Sequence, residues 1–277
     1  MSDALATQLA TIDSWGAQHA AAAVVGPNGI VASHGALDRS FRWASVTKLV
    51  TALAVLAAVD DGLIDLDEPA GPPGSTVRHL LAHASGLSFE GTAILARPGT
   101  RRIYSNPGFD ILGAFVGDRD AVTPAEALDR RVLVPLLMTG TTLLTRPSEG
   151  LHGPLSDLAA LARDLLRPTV VVPTTLVLAT GVAFTGLPGV LPGVGRFDAL
   201  DWGLGFEIRS GKTPHWTGGL NSPATFGHFG GAGTFLWVDP ALDRALVCLT
   251  DRDYGPWALD AWPTLSDAVV TTLTGAA

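Results

Sequence analysis

The sequence predicts an α+β fold in which one antiparallel sheet, flanked by helices, takes strands from both chain ends, with a helical subdomain inserted between them. Three observations carry this. Two short apolar runs near the start flank a four-residue turn, four strand-like runs crowd the last third, and helical pieces broken by Gly and Pro fill the middle. A chain of 277 residues holds one large core or two parts sharing a cleft. It reads as a single domain, 1–277, whose sheet-containing part is 1–60 and 198–277 and whose mostly helical part is 61–197.

The elements follow in order. Apolar runs at 20–25 and 30–33 surround Gly26-Pro27-Asn28-Gly29, a hairpin signal. Residues 45–60 are rich in Ala and Leu, lack Gly and Pro, and stop at Gly62. Apolar nearly all round, they predict a buried central helix. Shorter helices are predicted at 77–83, 107–116, 124–133 and 156–166, the last with Ser156 as N-cap. Glycines and prolines break every periodic pattern in 168–197, so no element is assigned there. Strands are predicted at 202–208, 225–229, 234–239 and 244–250, the last two joined by the turn Pro240-Ala241-Leu242-Asp243. A helix at 258–273 closes the chain.

Composition narrows the function. The balance of 18 Lys+Arg against 26 Asp+Glu leaves a net charge of −8. Such a surface repels phosphate backbones and anionic lipid, so neither nucleic acid nor membrane is expected as a partner. The partner expected is a small-molecule substrate, with the oligomeric state left open. Cys248, the single cysteine, lies in the apolar run Ala245-Leu246-Val247-Cys248-Leu249 and reads as a packed thiol. No secretory leader is visible at Met1-Ser2-Asp3-Ala4-Leu5, and the longest apolar stretch, 49–59, is shorter than the ~20 residues that span a bilayer. A cytoplasmic location is therefore expected.

Several signatures are absent. No serine lies in G-x-S-x-G, and G-x-G-x-x-G does not occur. Gly211-Lys212-Thr213 imitates the end of a phosphate loop, but position 206 is Phe206 where that loop needs glycine. His79 and His83 have a zinc-ligand spacing without the Glu of H-E-x-x-H, so they read as structural. Asp60, Asp61, Asp65 and Asp67 read as a solvated helix end and turn. No metal and no cofactor is expected.

Ser45-Val46-Thr47-Lys48 is of another kind. Serine and lysine three apart at a helix start share one face, and the helix end favours developing negative charge beside Ser45. A lysine pushed into the apolar 49–59 wall loses proton affinity and becomes a base for the hydroxyl. The alternative is a capping serine with a solvated lysine.

S-x-x-K is a signature of serine β-lactamases and penicillin-binding proteins. Further segments follow in family order: Asp61-Gly62-Leu63-Ile64-Asp65-Leu66-Asp67, His79-Leu80-Leu81-Ala82-His83-Ala84-Ser85-Gly86-Leu87, Pro98-Gly99-Thr100, Tyr104-Ser105-Asn106, Trp202-Gly203-Leu204-Gly205-Phe206, and Gly227-His228-Phe229-Gly230-Gly231-Ala232-Gly233 before Asp239-Pro240. Over roughly residues 20–275 the chain resembles the class C β-lactamase-related branch of this superfamily, with its D-alanyl-D-alanine carboxypeptidases, D-aminopeptidases and esterases. The resemblance implies the β-lactamase/transpeptidase-like fold.

It also implies roles. Ser45 would be the nucleophile, Lys48 its base partner, and Tyr104 the acid/base that protonates the leaving group. Asn106 would bind Lys48 or the substrate amide. The backbone N–H groups of Ser45 and Gly231 would form the oxyanion hole. His228-Phe229-Gly230 stands where class C β-lactamases carry Lys-Thr-Gly, and Lys212-Thr213-Pro214 is no substitute. Histidine there removes a permanent cation, so any carboxylate-holding charge would fade across neutral pH with an ordinary imidazole. A structural His228 and a half-buried, non-catalytic Tyr104 are the alternatives. The short 168–200 region implies an open cleft. Trp43, Trp202, Trp216 and Trp237 read equally as cleft liners and as core. The function expected is a serine hydrolase acting through an acyl-enzyme on small esters or amides. The alternatives are a true β-lactamase and a catalytically silent binding protein.

Overall fold

The computed structural model describes residues 1–275. Helix α1 (Ser2–Leu9) and a 3-10 turn lead to the hairpin of β1 (Ala20–Gly26) and β2 (Gly29–His34), followed by β3 (Ser40–Arg42). A second 3-10 turn, Ala44–Val46, opens α2 (Thr47–Asp60), and α3 (Val77–Leu81) follows. The middle of the chain holds β4 (Arg102–Ile103), α4 (Asn106–Asp120), α5 (Pro124–Leu128), β5 (Thr142–Leu143), β6 (Leu151–Pro154), α6 (Leu155–Leu166), α7 (Pro173–Ala179), β7 (Gly189–Leu191) and β8 (Gly195–Phe197). The chain finishes with β9 (Glu207–Ile208), β10 (Phe226–Gly230), β11 (Thr234–Asp239), β12 (Arg244–Thr250) and α8 (Pro256–Thr274).

Strands from both ends form one six-stranded sheet in the order β2-β1-β12-β11-β10-β9, and each adjacent pair is antiparallel. Ala20 pairs with Thr250 and Val25 with Ala245, so the two ends of the chain meet along the centre of the sheet. Alternate side chains point to opposite faces. Ala21, Ala23 and Val25 join the core that contains α2 and α6, while Ala22, Val24, Leu246 and Cys248 face α1 and α8. Burial on both faces explains why β1 and β12 read as unbroken apolar runs, without a polar side.

The expected α+β architecture is present, and its differences have local causes. The strand predicted at 202–208 shrinks to Glu207–Ile208, with Trp202 bridged singly to Glu207. Gly205 holds φ +96° and lies against α2, where an added Cβ would sit 2.2 Å from the Ala52 Cβ. The backbone is spent there on close approach to a helix and cannot continue a ladder. Ser156 does not cap α6. Pro154 is the N-cap, and the Ser156 N–H donates to the Leu37 carbonyl at 3.0 Å. The aspartates at the end of α2 and beyond it clamp neighbouring segments: Asp60 accepts from Val172 N at 2.7 Å, Asp61 pairs with Arg131 at 2.9 Å, and Asp67 pairs with Arg78 at 2.8 Å. Helix α1 had no signal in the sequence beyond Leu5 and Leu9, both fully buried. Among the described residues no helix is long and apolar enough to cross a membrane.

Candidate active site

The 3-10 turn before α2 carries Ser45, and α2 itself begins at Thr47, so Ser45 precedes the α-helix proper. Lys48 follows one turn later. From Thr47 to Ala58 every residue of α2 is buried, and Lys48 has no exposed surface. Its Nζ donates to Asn106 Oδ1 at 2.6 Å, to the Ser148 carbonyl at 2.8 Å and to Ser45 Oγ at 3.2 Å. Burial lowers its pKa to about 7, against the opposing pull of Glu149 and Asp110.

Tyr104 and Asn106 flank Ser105, which is extended (φ −139°, ψ 120°). Residues two apart in extended chain point the same way, which is why this spacing aims both at Lys48. Ser105 Oγ then caps α4 by accepting from Gly108 N at 3.2 Å, with Pro107 in the first turn. The Tyr104 ring centroid lies 4.8 Å from Lys48 Nζ. Burial pushes the Tyr104 hydroxyl pKa up, and a hydrogen bond with Ser45 works the other way. The hydroxyl donates to His228 Nε2 at 3.3 Å.

His228, on β10, uses its Nδ1–H on the Phe229 carbonyl at 2.7 Å, which leaves Nε2 as the acceptor for Tyr104. Burial, with Lys48 adding to it, lowers the His228 pKa to about 3. The expectation that a charge on His228 fades across neutral pH is therefore corrected: the imidazole is already neutral there. Gly230 packs the strand onto the Ser45 turn, since a Cβ would meet the Trp43 carbonyl at 2.4 Å and Thr234 Oγ1 at 2.5 Å. Gly231 faces open space, and its N–H and that of Ser45 donate to no acceptor among the described residues.

Ser45, Tyr104, Asn106, His228 and Gly231 line one cleft with about 260 Å³ of free volume. Lys48 and Gly230 lie behind its wall. Phe89, Leu191, Trp202, Phe229 and Tyr254 make most of the remaining surface apolar. The β7–β8 hairpin pairs in parallel with β4, next to Tyr104, and its tip residues Leu191, Pro192 and Gly193 wall the cleft. Tyr254 fastens that tip by donating to the Gly193 carbonyl at 3.0 Å. No periodic pattern could reveal this wall, because short Gly- and Pro-rich strands carry none.

Of the four tryptophans, Trp202 reaches the cleft, while Trp43, Trp216 and Trp237 are buried in the core. The His83 ring packs tilted against Tyr104, centroids 4.4 Å apart, and accepts from Ser105 N at 3.1 Å, and His79 stacks at 4.5 Å on Phe184. Both therefore serve packing. Lys212 pairs with the buried Glu207 and does not itself line the cleft. Glu90, which accepts from Asn106, and Ser148, which accepts from Lys48, had no motif to mark them.

The chain and its fold match a family already described. A family model described as Beta-lactamase matches residues 10–270, and the chain belongs to that family. A β-lactamase structure from Mycobacterium bovis is 52% identical with a TM-score of 0.94, covering 96% of this chain and 99% of that one. Esterase EstB of Burkholderia gladioli is 27% identical over 327 aligned residues, covering 84% of this chain and 82% of that protein. Acyltransferase calJ of Penicillium decumbens is 34% identical over 125 residues, 36% of this chain and 27% of calJ. The family is in general one of serine hydrolases, with esterase and acyltransferase relatives.

Proposed function

We propose that this chain, of the class C β-lactamase-related branch, hydrolyses small esters or amides through an acyl-enzyme on Ser45. The observation that carries the reading is Lys48: a buried amine, 3.2 Å from Ser45 Oγ, whose pKa lies near 7. Much of it is unprotonated at neutral pH, so it can take the Ser45 proton as Oγ attacks the carbonyl. The free N–H groups of Ser45 and Gly231 suit the oxyanion that forms. Tyr104 keeps its proton, because burial raises its pKa, and can pass it to the leaving group. Neutral His228 accepts from the Tyr104 hydroxyl and so orients it. In the second half-reaction the Tyr104 phenolate takes a proton from water as it attacks the acyl carbonyl, and the Lys48 ammonium returns its proton to Ser45 Oγ as that oxygen leaves.

A neutral His228 offers no cation for a substrate carboxylate, which favours neutral esters over penicillins. The second reading, a true β-lactamase, draws on the Mycobacterium bovis relative. The acidic chain, net −8, is read as a cytoplasmic enzyme with a small-molecule partner and no nucleic-acid or membrane partner.

The test is intact mass spectrometry after exposure to a fluorophosphonate and to a penicillin. The fluorophosphonate should add once to wild type and not to Ser45→Ala. Lys48→Ala and Tyr104→Phe should each lower kcat on a nitrophenyl ester by about 10²–10⁴-fold. The ratio of kcat/KM for penicillin to that for ester should stay level from pH ~6 to ~8, since imidazole near its ordinary pKa of ~6.5 would tilt it and His228 does not titrate there. Labelling that persists on Ser45→Ala would sink the assignment.

A further inference from the structure

Glu90 stands at the cleft mouth with its side chain 46% exposed. The mechanism above gives it no task. Yet Glu90 Oε1 accepts a 2.6 Å hydrogen bond from Asn106 Nδ2, and Asn106 is itself only 3% exposed. The other end of that amide, Oδ1, accepts from Lys48 Nζ at 2.6 Å. A carboxylate only accepts and the lysine donates, so the two neighbours together select one orientation of the amide. Turned over, Asn106 would set Nδ2 against the lysine lone pair and its oxygen against a carboxylate.

The second acceptor of Lys48 is held by the same group of residues. Ser148, whose carbonyl accepts from Nζ at 2.8 Å, donates its own N–H to Asp110 Oδ1 at 3.1 Å. Arg146 ties this group together, contacting Glu90 at 3.2 Å, Asp110 at 3.2 Å and Glu149 at 3.9 Å. A neutral lysine amine has two N–H groups and one lone pair. If Asn106 Oδ1 and the Ser148 carbonyl occupy both N–H groups, the lone pair is left facing Ser45.

We propose that Glu90 is a positioning residue for acylation: by holding the Asn106 amide in one orientation it directs the Lys48 lone pair toward Ser45. This rests on Ser45 and Lys48 acting as nucleophile and base. Glu90 is also one of the charges that Lys48 feels. Glu149, Asp110 and Glu90 favour its protonated form, and Arg146 disfavours it. The other titratable groups beside it, Tyr104, His83 and His228, are uncharged at neutral pH.

The experiment measures the rate of Ser45 acylation by a fluorophosphonate against pH in wild type, Glu90→Gln, Glu90→Ala and Arg146→Gln. Glutamine removes the charge but keeps a carbonyl oxygen for Asn106. Its acid limb should move down by about 0.3–1 pH unit while the high-pH plateau stays within about threefold of wild type. Alanine should show the same shift and lose about tenfold or more from the plateau, because the amide is free to turn. Arg146→Gln should move the limb the opposite way, upward. A Glu90→Ala profile that matches wild type overturns the proposal. So does a plateau loss in Glu90→Gln equal to that in Glu90→Ala, since charge and not orientation would then be responsible. Labelling of Ser45→Ala overturns the nucleophile reading beneath it, which separates the two failures.

Discussion

Lys48 shows how a single side chain is tuned by what surrounds it. It starts from an ordinary lysine value of 10.5 and reaches about 7 because the wall of α2 removes its water. That shift is also a statement about stability. Between about 7 and 10.5 the unfolded chain binds a proton at this position that the folded chain does not. The associated stability is present above 10.5 and is lost as pH falls toward 7. Lys48→Met does not titrate, so its Tm relative to wild type should climb as pH falls from 10 toward 7 and level off below that. A difference independent of pH, measured by differential scanning calorimetry, would mean that Lys48 keeps its ordinary proton affinity.

Short elements depend on polar contacts where they bury too little apolar surface. Strand β9 has two residues, yet its Glu207 receives the Lys212 ammonium, His215 Nε2 at 2.9 Å and Trp216 Nε1 at 3.0 Å. These contacts fold the loop after β9 back beneath the cleft, where Glu207 forms part of the lining. Lys212 and His215 outweigh burial and hold the carboxyl at about 2, below its ordinary 4.5. The stability that Glu207 contributes is thus present above pH 4.5 and is lost as pH falls toward 2. Glu207→Gln leaves Lys212 buried without a counter-charge and should cost about 3–5 kcal/mol at pH 7. Urea midpoints should show the gap between variant and wild type narrowing at pH 3. A neutral substitution at pH 7 would remove the ion pair from the account of this loop.

At the scale of the whole molecule, the sheet is enclosed because α1 and α8 cover the face that α2 and α6 do not. Cys248 lies on the α1/α8 side with no exposure, and burial pushes its thiol pKa up. It is therefore a reporter of opening. In native protein it should react with a thiol reagent only as fast as the sheet opens globally. Deleting residues 1–15 removes Leu5, Leu9, Ile12 and Trp15, each worth about 1.5–3 kcal/mol when fully buried, and should speed the reaction at least ~10-fold. Equal rates in both proteins would show that α1 is not part of the cooperative unit.

The sequence by itself determined the sheet closed by both chain ends, the buried central helix, and the shared face of Ser45 and Lys48, while the family resemblance added Tyr104 and Asn106 to them. Those features are written in local terms: short unbroken apolar runs beside turn residues, an all-apolar helix, and a one-turn spacing that shares a face. Tertiary structure alone decided that His228 is neutral, that the 189–197 hairpin walls the cleft, and that Glu90 and Ser148 complete the surroundings of Lys48. Each of these depends on segments far apart in the chain excluding water from one point. A proton's affinity and a hydrogen bond's partner follow from that exclusion, which no stretch of sequence carries alone.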